Sequence, residues 1–236
     1  MTAATQIVGN VGARTAAPLL AVCGVCGGAG TTTLATLIAH AAARGGDVLL
    51  AGPSDLSALT GARTPWNLSE ACGLLARDPL LACGLWDVAL RHPYELRVIA
   101  ADAAAEDQPR HLEASLESFR DEHSLVVVDC GTLQRDVDRR ALSLASHVAW
   151  VLPDTPRGAH RAAEFLASTP RRLGLRELVL ARRDITDEAA SLSDLAALAT
   201  TRSAPLVHAP AVVGDLVTAV RQAEVALQAV VGALQR

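Results

Sequence analysis

The residue types best placed to do chemistry sit close together in Cys23-Gly24-Val25-Cys26-Gly27-Gly28-Ala29-Gly30-Thr31-Thr32-Thr33. An apolar run, Leu19–Cys23, precedes this stretch, and Leu34, Leu37, Ile38 and Ala41 follow it at helical spacing. Glycines in such a strand-to-helix turn let backbone N–H groups converge on an anion, and the helix N-terminus adds a favourable dipole. The candidate phosphate-cradling residues are therefore Gly27, Gly28, Ala29, Gly30, Thr31, Thr32 and Thr33. The Thr32 hydroxyl, just inside the helix, is of the kind that ligates Mg²⁺. Asp129, ending the apolar run Leu125–Asp129, is its candidate partner on the metal. The alternative is a strand-end Asp that simply bonds nearby backbone or Thr32. Cys23-x-x-Cys26 has metal or redox spacing, but no second pair at zinc-ribbon spacing and no nearby His pair accompanies it. The seven His are dispersed, and no Gly-x-Ser-x-Gly elbow occurs, which argues against zincin and serine-hydrolase chemistry.

One residue type is missing. All 21 basic residues are Arg, so no lysine is present to form a Schiff base, act as a general base or hold a nucleotide phosphate. The net charge of −4 gives no bulk attraction to nucleic acid or an anionic membrane. Charge is nonetheless segregated. Residues 157–183 hold seven Arg against Glu164 and Glu177, and residues 102–122 hold seven acids against Arg110 and Arg120. The 157–183 stretch is the candidate DNA-binding face; the alternative is an ordinary solvated surface. Arg14, Arg157 and Arg161 lie at positions able to approach the C-terminal edge of the strands, but a planar guanidinium does not fill a lysine's place inside a tight loop, and a solvated surface arginine is the favoured reading for each.

The elements that must position these groups alternate. Strands are expected at Leu19–Cys23, Val48–Ala51, Leu96–Ala100, Leu125–Asp129, His147–Leu152, Glu177–Ala181 and Leu206–Val207. Helical patterns are expected at Thr32–Arg44, Ser69–Arg77, Leu80–Leu90, Pro109–Glu122, Arg157–Ser168, Ser191–Thr200 and Gly214–Leu234. Strands spaced by helices predict an α/β fold, a single three-layer domain with a mostly parallel sheet and helices on both faces. Half of the residues are hydrophobic and only 3% aromatic, so Ala, Leu and Val must fill the core. Residues 1–17 are small, polar and aperiodic, and are expected to form a flexible N-terminal arm before a domain at 18–236. No signal-peptide pattern or bilayer-length apolar run is visible, and the five scattered Cys suit reduced thiols; a cytoplasmic location is expected.

With its strand before and its Ala/Leu-rich helix after, Cys26-Gly27-Gly28-Ala29-Gly30-Thr31-Thr32-Thr33 resembles the deviant P-loop of the ParA/MinD superfamily of dimerising ATPases. That motif runs Lys-Gly-Gly-x-Gly-Lys-Thr-Thr. Gly27, Gly28, Gly30, Thr32 and Thr33 match it. Cys26 stands where the signature lysine would reach the partner's nucleotide, and Thr31 where the Walker lysine would contact the β- and γ-phosphates. Asp129 matches the Walker B Asp, Gly52 replaces a catalytic Asp, and Ala181 replaces an adenine-reading Asn. Val151–Pro156 and Pro210–Val213 are also similar, and the branch most resembled is the CpaE/TadZ-like one of pilus and secretion loci.

The resemblance implies a P-loop NTPase-like fold with a degenerate site for ATP or ADP with Mg²⁺. It implies a non-hydrolysing adaptor or regulator in partitioning, division, pilus or secretion assembly. Its expected partners are a related P-loop ATPase, a component of such a machine, or a second copy of the chain. The alternatives are a divergent active ATPase using Thr32 and Asp129 with Mg²⁺, and a DNA-binding module using residues 157–183. MinD proteins end in a basic amphipathic membrane helix; here only Arg221 and Arg236 are basic in the last segment, so membrane insertion is not expected.

Overall fold

Five consecutive buried residues, Leu125–Asp129, leave no face for water, so the strand they form must be covered on both sides. In the computed structural model, which describes residues 16–62, 66–78, 87–90, 96–100, 111–183 and 189–234, that strand lies inside an eight-stranded sheet. The strands are β1 (Leu19–Gly24), β2 (Val48–Gly52), β3 (Asp87–Leu90), β4 (Leu96–Ala100), β5 (Leu125–Asp129), β6 (His147–Pro153), β7 (Arg176–Arg182) and β8 (Leu206–Ala209). Their order is β3-β4-β2-β5-β1-β6-β7-β8. Seven run parallel, and β3 pairs antiparallel with β4 at one edge.

The helices are α1 (Thr31–Ala42), α2 (Asp55–Thr60), α3 (Leu68–Arg77), α4 (Leu112–Glu122), α5 (Asp136–Leu144), α6 (Pro156–Ser168), α7 (Leu192–Arg202), α8 (Leu216–Gln222) and α9 (Glu224–Leu234). Strand alternation sorts them into two layers. Leu20, Val22, Leu50, Val127, Val151 and Leu180 point toward α1, α8 and α9. Leu19, Ala21, Leu49, Val126, Trp150 and Val179 point toward α3, α4, α5, α6 and α7. The expected three-layer α/β domain is thus the one formed.

Several helices start where the sequence supplies a cap. Asn67 and Glu70 form a reciprocal capping box on α3, Thr155 accepts from the Gly158 N–H ahead of α6, and Asp215 accepts from the Thr218 N–H on α8. In the second layer Trp150 Nε1 donates to Glu177 Oε2 at 2.8 Å, and Arg202 grips both Glu177 oxygens at 2.7 and 2.8 Å. Arg202 also donates to the carbonyls of Leu166 and Thr169, so this buried ion pair is well satisfied.

The structure corrects four expectations. Leu80–Leu90 is not a helix throughout: Asp87–Leu90 is a strand, because a short apolar run fits either state and the β4 edge offers it partners. The helix expected from Pro109 is described only from Leu112, after His111 in the left-handed region. The last helix is two, broken at Ala223 (φ −97°, ψ 6°) with no Pro or Gly at the break; both halves keep their apolar stripe on the sheet. Helices α2 and α5 were not expected, since their apolar positions are too few to show a period. Residues 1–15 of the expected arm lie outside the described residues. Ala17 bonds Arg120 in both directions, by its N–H to the carbonyl and its carbonyl to Nε.

Candidate phosphate loop and buried carboxylate

The strand order fixes where a site can form. The chain leaves β1 toward β2 on one side, and the connection from β5 to β6 returns it to the other. The C-terminal end of β1 is therefore a switch point, where loops diverge and leave a crevice. The Gly-rich turn occupies that end. It is anchored at its start by Gly24 N–H to Gly131 O (2.7 Å) and Val25 N–H to Val151 O (3.0 Å). Within it Ala29 N–H bonds Cys26 O, and Gly30 O accepts from Leu34 N–H as α1 begins. Gly28 (φ 75°) and Gly30 (φ 85°) adopt the left-handed backbone that such a turn needs.

The turn is open outward and closed inward. A Cβ on Gly27 or Gly28 would meet nothing within 4 Å. Thr31 folds the other way: it is buried, and its Oγ1 lies where a Cβ on Gly24 would collide with it. Thr31 therefore packs beneath the loop instead of projecting over it. No side chain caps α1, and its first turn carries no acid. Its leading amides are free of the usual intramolecular acceptor, as in helix ends that receive an anion.

Asp129 is fully buried at the end of β5, beside Val22 of β1. Its Oδ1 accepts from the Gly131 N–H at 3.0 Å, and its Oδ2 is buried with no partner among the described residues. Burial pushes its pKa above the ordinary carboxylate value; the Thr32 hydroxyl, the Gly131 N–H and the Arg135 charge oppose that rise. The Thr32 hydroxyl is thus close enough to act on the carboxylate but forms no well-aligned hydrogen bond with Oδ2. One oxygen of Asp129 is spent on local backbone, and the other is left over. A buried lone carboxylate oxygen beside a hydroxyl is a donor set that suits a hard divalent cation.

Other positions singled out in the sequence fall as follows. Gly52 ends β2 against this acid: a Cβ there would stand 2.8 Å from both Asp129 Cβ and Leu56 Cδ1. Ala181 is completely buried and offers no polar group to a base. Cys23 is buried on β1, where its thiol faces Cys130, and that contact together with burial pushes the Cys130 pKa well up. Among the described residues no group of three or more His, Cys, Asp or Glu is placed to hold a metal.

The structure divides the 157–183 arginines. Arg157, Arg182 and Arg183 lie at the C-terminal edge of the sheet, by the start of α6 and the end of β7. Arg171, Arg172 and Arg176 lie at the opposite edge, about 20 Å away across seven residues of β7. Arg172 is held there by the carbonyls of Leu142, Ser143 and Ala145 at the end of α5. The stretch therefore forms no single contiguous patch.

Arg14 lies outside the described residues, and Arg157 and Arg161 are exposed on α6. The arginine that does reach the loop carries no motif of its own. Arg182, the last residue of β7, lies against Gly30: a Cβ on Gly30 would collide with its Nη1 and stand 2.6 Å from its Cδ. Only its place directly after Ala181, at the end of a strand running toward the same sheet edge, could have pointed to it.

No protein-family model matches the chain, and no curated protein matches it. Solved structures do match in fold. A ParA family ATPase from Chlorobium tepidum TLS superposes with a TM-score of 0.69 at 15% identity, over 94% of this chain and 98% of that one. A chain of the Aquifex aeolicus MinC:MinD cell division protein complex gives 0.67 at 17% identity, over 93% and 95%. The septum site-determining protein MinD of Pyrococcus horikoshii OT3, complexed with Mg-ADP, gives 0.65 at 17%, over 93% and 95%. At these identities the likeness is one of fold, and it spans nearly the whole of both chains. No described helix is long and apolar enough to cross a membrane.

Proposed function

We propose that this chain is a ParA/MinD-like protein that binds a Mg²⁺-nucleotide without hydrolysing it and serves as an adaptor in positioning or assembling a cellular machine. The observation that carries this reading is the contrast between two strand ends. At β5, Asp129 keeps a buried, unpartnered oxygen beside Thr32. At β2, the place of a catalytic Asp is Gly52, and its side-chain space is filled by Asp129 and Leu56. The metal-holding pair persists, and the acid that would orient an attacking water is gone. Thr32 and Asp129 would hold Mg²⁺, and the amides of Gly27–Thr33 would hold phosphate oxygens. Bound there, Mg²⁺ would neutralise phosphate charge.

The fold neighbours include an Mg-ADP complex and a MinC:MinD complex, which supports nucleotide and protein partners for this fold. A related P-loop ATPase or a second copy of the chain is the favoured partner, within the CpaE/TadZ-like branch. The division of the arginines between two edges counts against the DNA reading.

Thermal unfolding with and without nucleotide tests the proposal. Mg-ADP at 100 times its dissociation constant should stabilise the fold by about 2.7 kcal/mol. Phosphate release from Mg-ATP should stay at the no-protein rate. Absence of any shift with Mg-ADP and Mg-ATP removes the nucleotide from the proposal; turnover abolished by Asp129→Ala replaces it with the active-ATPase reading.

A further inference from the structure

The geometry points to a second anion site, at the sheet edge away from the Gly-rich turn, that takes a small phosphate monoester against Arg120, Arg176 and His147. It shares no residue with the nucleotide site and stands whether or not that site binds.

A crevice of about 1190 Å³ opens at the N-terminal edge of the sheet, and its lining includes Arg120, His147 and Arg176. In the parallel register His147 of β6 pairs with Arg176 of β7. By strand alternation from Ala149 and Leu178, both side chains leave the sheet on the face that α1 and α9 cover. The Arg176 guanidinium meets no acceptor among the described residues, and that of Arg120 meets only the Ala17 carbonyl, through Nε. Both charges act on the His147 ring. His147 is 4% exposed, and its Nε2 is buried with no partner among the described residues. Two cations short of acceptors and one buried orphan nitrogen therefore line the same crevice.

Ser146 fixes the ring. Its hydroxyl accepts from the Leu19 N–H at 3.0 Å, donates to the Leu19 carbonyl at 3.3 Å and lies 2.9 Å from His147 Nδ1. With its own proton given to Leu19, the hydroxyl accepts from Nδ1, and Nε2 is the bare nitrogen. Burial, then Arg176, then Arg120 hold the ring neutral. An anion set against the two guanidiniums cancels their charge, lets Nε2 take a proton from solvent and accepts the hydrogen bond that results. Donors on three elements, α4, β6 and β7, and two full charges suit a tetrahedral dianion better than a planar carboxylate. Ala41, Ala42, Val231 and Leu234 wall the crevice with apolar surface for the body of the ester. The acids of the crevice stand apart. Asp47 precedes β2, four strand spacings or about 19 Å from Arg176 on β7. Asp121 and Glu122 are exposed at the end of α4, and the charges of Asp47 and Glu122 act on His123 and not on His147. A ligand with a single anionic group fits that division.

Calorimetric titration of the full chain with phenyl phosphate, inorganic phosphate and benzoate tests this, with EDTA present so that Mg²⁺ plays no part. Phenyl phosphate should bind more tightly than inorganic phosphate, and benzoate at least tenfold more weakly than phenyl phosphate. Arg176→Gln should weaken phenyl phosphate tenfold or more. His147→Phe keeps the ring shape and should weaken it too. It should also abolish the proton uptake on binding, read as the dependence of the heat on the buffer. Arg171→Gln, at the same edge but outside the crevice, should change nothing. Unfolding of each ligand-free variant checks that the fold is kept, and exposed Arg176 carries the test should His147→Phe not fold. No binding of phenyl phosphate at millimolar concentration overturns the inference. So does unchanged binding by Arg176→Gln, or an equal loss in Arg171→Gln, which would mean bulk charge alone. Benzoate binding as tightly as phenyl phosphate overturns the ligand class, and proton uptake that persists in His147→Phe removes His147 from the site.

Discussion

Gly52 and Asp129 share one side-chain space: the Cβ that Gly52 lacks would stand 2.8 Å from Asp129 Cβ. The two residues end neighbouring parallel strands, so their side chains compete for the same crevice. Leu56 closes the third side at the same 2.8 Å. An acidic side chain at position 52 would therefore find its space already taken by Asp129 and Leu56.

Placing an acid at position 52 should fail as a gain of function. Gly52→Asp must push Leu56 or Asp129 aside and set two carboxylates together in a dry pocket. Overpacking alone should cost about 1–3 kcal/mol, measured by urea unfolding. ATP turnover should stay absent. A Gly52→Asp variant that folds as well as wild type and hydrolyses ATP would show that the pocket is not closed.

Asp129 should give the ligand-free protein a specific pH dependence. Its folded pKa is raised, chiefly by burial, above the ordinary value of 3.8. Between those two values the native state holds a proton that the unfolded chain has released. Stability attributable to Asp129 is therefore intact below the ordinary value and is lost as pH rises through the raised one. Asp129→Asn should match wild type in acid and exceed it at neutral pH, with the gap opening across that window. The same variant should lose the Mg²⁺-dependent part of ligand stabilisation. A constant difference between the two proteins from acid to neutral pH would contradict the assignment.

How much of this was legible in the sequence depends on where the cause lies. Leu19–Cys23 and Leu125–Asp129 announced buried parallel strands because both faces of a central strand must be apolar. The loop announced itself through its glycines, and at Gly28 and Gly30 the left-handed backbone requires them. Helix α5 was hidden, because in its nine residues only Val137 and Ala141 are buried apolar positions, too few to show a period, and the Arg135–Asp138 contact at its start does the rest. Asp87–Leu90 was hidden because only its β4 partner decides its state. Arg182 was hidden because its contact with Gly30 joins the end of β7 to a turn 152 positions earlier in the chain, and no local pattern records that approach.

The pair Arg202–Glu177 should be the most sensitive polar contact in the second layer. Both side chains are 4% exposed, and Trp150 donates to the same carboxylate. Arg202→Met leaves a buried charge on Glu177 with one neutral donor and uncaps two carbonyls of the α6 end. A loss of about 3–5 kcal/mol is expected by denaturant unfolding. The double variant Glu177→Gln/Arg202→Met should recover part of it, because the stranded charge is gone. Equal losses in single and double variants would mean that Arg202 acts through its carbonyl contacts alone.

Arg172 separates a structural role from a nucleic-acid one. It sits in the Arg-rich stretch, yet its guanidinium is occupied by the carbonyls of Leu142, Ser143 and Ala145, where α5 ends. Cations stabilise helix C-termini by meeting such orphan carbonyls. Arg172→Ala should cost about 0.5–1.5 kcal/mol of stability, a modest figure because the group is half-exposed. Exposed Arg171, next to it, should cost close to nothing when changed to Ala. A DNA surface predicts the reverse ranking: both substitutions would weaken retention on duplex DNA at low salt, each lowering the steepness of its salt dependence by about one phosphate contact. Stability loss confined to Arg172→Ala, with DNA retention unchanged in both, is the outcome expected from the way the fold spends this arginine.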